Sequence, residues 1–421
     1  MELSLFGERF SQDAGILELM DDLGRALESP GDKIMLGGGN PASIPEINRI
    51  WRRRLTEILA KDGEVEALVA QYDAPAGREG FRSAMASFLV RNFGWPIGPE
   101  NIVITGGSQS GFFLLFNLLA GEFSGGRHRK VLFPLAPEYI GYADQALGPG
   151  QFVSHRPLVV EEEAPYFKYY VDFRDLDLGA DTGAVCAGRP TNPTGNVLTD
   201  DEVGHLAALA RQAGVPFLLD NAYGAPFPSI LFEPVKPYWD ENTVLSMSLS
   251  KLGLPSVRTG ILVAPEPLAR AVASANSILN LTNPGLGQAL VQPLLADDAL
   301  LTISREVIRP FYARRRDFAL AAVASIFGGR FSYRIHRPQG SLFLWLWFPE
   351  LKIGSREVYR RLKERGVLVV PGDAFFFGLP AADDAWPHRS QCLRVHYARE
   401  PEEVEAGLRA VAQVVEEAGR A

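Results

Sequence analysis

Between residues 100 and 265 the chain alternates short apolar or β-branched runs with longer stretches of helical spacing. This rhythm constrains the fold more than any single motif. Short strands separated by helices are joined by crossovers, which is the pattern of a wound, largely parallel sheet. The expected strands are 102–105, 130–133, 184–188, 216–220, 244–248 and 260–264. Between the third and the fourth, Thr199-Asp200-Asp201-Glu202 has the spacing of a capping box. It predicts a helix running to Ala213 and so completes one strand–helix–strand unit.

A chain of 421 residues exceeds what one hydrophobic core comfortably serves. The pattern changes after Asn283-Pro284-Gly285, where a long helical stretch at 301–327 leads to strands at 341–347 and 393–397. A last amphipathic helix follows, with Pro401 near its start and Val404, Leu408, Val411 and Val415 on one face. The expected fold is therefore α/β, with a large, mostly parallel-sheet domain over 49–295 and a smaller α+β domain over 296–421. Residues 1–48 are expected to form an N-terminal segment that belongs to the small domain and covers the active site.

Composition narrows the function classes. With 47% hydrophobic and 22% charged residues the chain is that of an ordinary folded protein. A net charge of -8 argues against nucleic acid or an anionic membrane as partner. The basic runs at 52–54 and 314–316 lie in helical stretches and read as solvated faces. Cys186 and Cys392 sit far apart inside apolar runs, which suits free thiols in a reducing compartment. No metal-ligand spacing, secretory signal or membrane-length apolar run appears, so a cytoplasmic protein is expected.

The polar residues that interrupt or end the apolar runs are the candidate site. Gly106-Gly107-Ser108-Gln109 follows a strand and opens a helix, a junction that points backbone N–H groups at an anion. Asp220 ends an apolar strand and needs a cation or several donors; Tyr223 follows it. Asn192 lies in the turn Arg189-Pro190-Thr191-Asn192-Pro193-Thr194-Gly195 at a sheet's carboxyl edge, where α/β proteins bind ligands. Tyr139 could offer its face to a planar ring. In 248–258 one amine, Lys251, stands with Ser248, Ser250 and Arg258, as it would around a carbonyl cofactor that carries a phosphate. Arg394 alternates with apolar residues in a strand and has the forked donors that suit a carboxylate. Plainer readings stand beside each of these: a polar loop with one surface lysine, a helix cap, a simple turn, a core tyrosine, an internal ion pair. His396, close by, has no assignment.

Taken together and in this order, the segments resemble the fold-type I aminotransferases that use pyridoxal 5′-phosphate, over essentially the whole chain. The resemblance implies that Lys251 tethers the cofactor and moves the substrate's α-proton. It implies that Asp220 holds the pyridine nitrogen, that Asn192 and Tyr223 bond the ring oxygen, and that Tyr139 stacks on the ring. Gly107, Ser108, Gln109, Ser248, Ser250 and Arg258 are then the phosphate site. Arg394, with Gly39 and Asn192, is the place for the substrate. Tyr72 is implied to reach the cofactor of a partner subunit in a homodimer.

Longer strings at 4–7, 36–42, 133–142, 220–224, 247–255 and 342–348 resemble one narrow branch of that family. That branch implies L-valine and pyruvate as substrates, giving 3-methyl-2-oxobutanoate and L-alanine, with Leu5 and Phe6 among the apolar residues near the site. Other small amino acids, or another reaction of the same cofactor such as β-elimination, are the alternatives. A cofactor-binding regulator is a further class, but it would need a DNA-binding module, and no basic N-terminal domain is present.

Overall fold

In the computed structural model residues 2–11, Gly24 and 33–420 are described. Most of the expected N-terminal segment between residues 12 and 32 lies outside them. The larger sheet has eight strands. Its path runs Ile102–Thr105, Gly260–Val263, Thr243–Ser248, Phe217–Asp220, Thr182–Gly188, Arg127–Phe133 and Gly121–Phe123, with Phe152–Ser154 paired to Arg127–Phe133. All six expected strands are in it. The central ones are parallel and buried on both faces, which is why they read as unbroken apolar runs. Gly260–Val263 departs from this by running antiparallel to both neighbours.

The capping box is present in full. Thr199 Oγ1 accepts from Glu202 N–H at 3.1 Å, Glu202 Oε2 accepts from Thr199 N–H at 2.8 Å, and the helix spans Asp200–Gln212. Near the chain's end the helix Pro401–Arg420 buries Val404, Leu408, Val411 and Val415. The long stretch expected at 301–327 is helical but uneven. Ala299–Ile303 passes through a π turn at Ser304–Ile308 into Arg309–Phe327. Pro310 sits where the α ladder resumes; it has no N–H to give, and the wider turn before it absorbs the missing bond.

The second sheet has six strands in the order Val370–Pro371, Cys392–His396, Phe343–Trp347, Arg334–His336, Tyr166–Tyr170 and Leu158–Glu161. The last two form a hairpin drawn from the middle of the chain, and Tyr166–Tyr170 runs parallel to Arg334–His336. No strand is expected there from the sequence. Phe167, Lys168 and Tyr169 are buried in succession rather than alternately, and Glu161-Glu162-Glu163 with Pro165 reads as a breaker.

Ile34–Met35 pairs in parallel with Val367–Leu368, and His396 N–H donates to Leu36 O at 2.8 Å, so the 36–39 stretch is laid beside Cys392–His396. The short helix Leu5–Phe10 is capped by Ser4. Leu5 and Phe6, expected near the site, are 86% and 58% exposed, and Phe6 stacks on Phe10 instead. Among the described residues no helix is long and apolar enough to cross a membrane.

Candidate active site

The loops after the strands of the larger sheet carry most of the candidate residues. Gly107, at φ 95°, caps the helix Ser108–Leu119, and a Cβ on it would lie 2.1 Å from Arg258 Nη2. Only glycine leaves room for the guanidinium against the helix N-terminus. Arg258 is itself left-handed at φ 42° and donates from Nη1 to Pro255 O at 3.1 Å. A cation stacked on a helix N-terminus is an anion site twice over, by charge and by unsatisfied N–H groups. Ser248 Oγ accepts from Ser250 N–H at 3.1 Å, which fixes the turn leading to Lys251. Gln109 spends its amide on the scaffold, with Nε2 donating to Gly141 O at 2.8 Å.

At the tip of its strand Asp220 accepts from Tyr142 Oη–H and, through Oδ1, from Ala222 N–H at 3.0 Å. Among the described residues no lysine or arginine is ion-paired with it. Burial raises the Asp220 carboxyl above its ordinary range, against the pull of Tyr142, of Ala222 and of the more distant Lys251. Tyr139 meets Tyr142 edge-to-face, with centroids 5.1 Å apart. Two residues that sequence reasoning missed complete this corner. One is Tyr142, a turn beyond Tyr139 in Ile140–Tyr142. The other is Glu138, whose Oε1 and Oε2 accept from Tyr139 N–H and Gly188 N–H, both at 3.0 Å. Glu138 is 2% exposed, and burial pushes it up to about 8. The only signal for either was a polar group inside the apolar string at 133–142.

Lys251 stands between the two sheets. Its Nζ donates to Gly39 O at 2.6 Å and lies 5.2 Å from the centroid of the Tyr223 ring. Burial lowers the amine to about 8, helped by the charges of Arg394 and Arg258 and opposed by Asp220. Arg394 comes from the smaller sheet and is 2% exposed. Its Nη1 donates to Asn192 Oδ1 at 2.7 Å, its Nη2 donates to Gly37 O at 2.6 Å, and its Nε has no partner among the described residues. The guanidinium lies over Phe343 at 4.1 Å, and burial lowers it to about 10. His396 is buried two residues on, and burial together with Arg394 holds it well below its ordinary value, hence neutral. Tyr72 stands apart: it is 82% exposed and lines a surface cavity of about 710 Å³ with Arg54, Arg78 and Gln292.

The residues that gather are thus an anion cradle, a half-buried carboxylate without a cation, an amine of lowered basicity and a buried guanidinium. Residues 60–411 match the family Aminotransferase class I and II. The chain belongs to the class I and II aminotransferases. It is 48% identical over 99% of both chains to "Valine--pyruvate aminotransferase" of Escherichia coli (strain K12). Among solved structures, a putative amino-acid aminotransferase from Psychrobacter arcticum 273-4 superposes with a TM-score of 0.95 at 39% identity, covering 99% of each chain. Valine-pyruvate aminotransferase from Salmonella typhimurium LT2 superposes with a TM-score of 0.87 at 45% identity, covering 96% of this chain and 99% of that one.

Aminotransferases of this class use pyridoxal 5′-phosphate, and the residues present fit it. The Arg258 guanidinium, packed where a Cβ on Gly107 would otherwise stand at the helix N-terminus, suits a phosphate. The carboxylate that lacks a cation, Asp220, suits a protonated pyridine nitrogen.

Proposed function

We propose that this aminotransferase moves the amino group between L-valine and pyruvate, giving 3-methyl-2-oxobutanoate and L-alanine. The observation that carries the reaction is Arg394, a buried forked cation with an unpartnered Nε, on the same site as a lysine of lowered basicity. The choice of valine rests on the full-length likeness to the Escherichia coli enzyme.

Gly107, Ser108, Gln109 through its backbone N–H, Ser248, Ser250 and Arg258 would hold the cofactor phosphate, Asp220 with Tyr142 behind it would hold the ring nitrogen, and Asn192 and Tyr223 would hold the ring oxygen. Tyr139 would lie against the ring face. Pyridoxal phosphate, when bound, supplies a carbonyl and an electron-withdrawing ring. Arg394 binds the substrate carboxylate with two parallel bonds and sets which face of the α-carbon is presented; Asn192 lies beside it, and Gly39 O lies beside Lys251. The Lys251 amine, neutral above about pH 8, takes the α-proton of the donor and returns a proton to the α-carbon of the acceptor. Exposed Tyr72 supports a homodimer in which it reaches the partner's phosphate. Two buried free thiols support a cytoplasmic setting.

A panel of amino donors against pyruvate, followed by alanine formation, tests this reading. L-Valine is expected among the best donors, with near neighbours differing by roughly ten- to two-hundredfold per methylene. Release of ammonia or carbon dioxide in place of alanine would reject it.

A further inference from the structure

Among the described residues two buried cations remain outside this machinery, and Arg189 is ion-paired with Asp200. Lys168, in the middle of the strand Tyr166–Tyr170, is 2% exposed and has no carboxylate partner among the described residues. Its Nζ donates to Asn196 Oδ1 at 2.6 Å, to Gln339 Oε1 at 2.6 Å and to Val197 O at 3.0 Å. All three ammonium hydrogens are thereby used on neutral oxygens. A methionine would fill the same space with no charge to desolvate, so packing alone does not account for a lysine there.

What it holds is the turn that carries Asn192. Thr191 N–H donates to Asn196 O at 2.8 Å and Gly195 N–H to Thr191 O at 2.8 Å, so a shift at 196 is carried to 191. Gln339 strengthens the tie, because its Oε1 also accepts from Val197 N–H at 3.3 Å. Room is short on this side: a Cβ at Gly195, where φ is 69°, would lie 2.6 Å from Gly340 O. At its other end the turn is gripped by Arg394 Nη1 on Asn192 Oδ1. Two amide side chains of one turn thus hang from two cations of the smaller sheet.

We propose that Lys168 is a positioning residue for the substrate-carboxylate clamp, fastening the 192–196 turn to the smaller sheet so that Asn192 holds Arg394 in its binding orientation. This rests on the transamination reading above.

The test compares Lys168→Met, Lys168→Arg and wild type as purified holoenzymes. Lys168→Met is expected to raise KM for both donor and acceptor by roughly tenfold, with kcat within about twofold. The inhibition constant of 3-methylbutanoate, a carboxylate with no amino group, should rise by the same factor, and Lys168→Arg should recover most of the loss. A Lys168→Met enzyme with lowered melting temperature but unchanged KM and inhibition constant would overturn the proposal. Should that variant not fold, Asn196→Ala removes one acceptor and should raise the same constants by roughly threefold; unchanged constants there would equally overturn it. If wild type makes no alanine from valine, the substrate reading has failed. The comparison then runs on its best donor and still decides the role of Lys168.

Discussion

Lys168 is buried in the smaller sheet and Lys251 is half-buried at the turn that ends a strand of the larger one, and desolvation lowers both amines to about 8. They are otherwise opposite. Lys168, in the smaller sheet, has three oxygens and no freedom. Lys251, between the sheets, has one backbone carbonyl, and two arginines press on its charge. Loss of basicity alone therefore does not mark a reactive amine. What distinguishes Lys251 is that little holds it once it is neutral, and that the nearest charges favour its being so.

Replacing each lysine in turn should give the largest contrast. Lys251→Ala is expected to lower turnover by on the order of a thousandfold or more, with an unchanged circular dichroism spectrum, whereas Lys168→Met should act on KM. Comparable losses of kcat in both would erase the distinction. Next in size, Arg394→Leu removes both the proposed carboxylate partner and the charge that presses hardest on Lys251. It should cost roughly ten- to a hundredfold in kcat/KM through KM, measured with valine and pyruvate.

Gly107→Ala would displace Arg258 and so disturb only the phosphate end of the Lys251 site. Titration of the cofactor-free protein with pyridoxal phosphate should show affinity weakened by roughly tenfold, with Lys168 untouched. The smallest effect is a pH midpoint. Burial lowers the Lys251 amine, so its neutral fraction grows as pH rises through about 8. Amine-specific labelling of the cofactor-free protein, read by peptide mass, should therefore rise at Lys251 around pH 8, while Lys168 stays unlabelled until unfolding. A Lys251 midpoint near the free-lysine value of about 10.5 would contradict this picture.

The larger sheet was legible because strands buried on both faces leave an uninterrupted apolar signature, and because Thr199 and Glu202 announce the helix between two of them. The mid-chain hairpin was not. Its residues are buried without alternating, and burial of Lys168 depends on partners nearly thirty and more than a hundred and seventy residues away. The site divides on the same line. Asp220, Asn192, Lys251 and Arg394 stand out as polar groups that end or interrupt apolar runs, and the structure brings Asn192 onto Arg394 and Lys251 beside Tyr223. Tyr142 and Glu138 sit within the same short string as Tyr139, and no local pattern says which of its polar atoms turn toward Asp220.

The mid-chain hairpin also has a consequence for how the molecule is made. Its strand Tyr166–Tyr170 finds its second neighbour only in Arg334–His336. During synthesis the hairpin must wait through more than a hundred and sixty residues with one edge open, long after its larger neighbour has the strands it needs. A chain interrupted in that interval would display an unpaired, aromatic-rich edge carrying a lysine that lacks one of its three oxygens, Gln339 Oε1. Fragments ending before Arg334 are therefore the forms of this protein most exposed to edge-to-edge association.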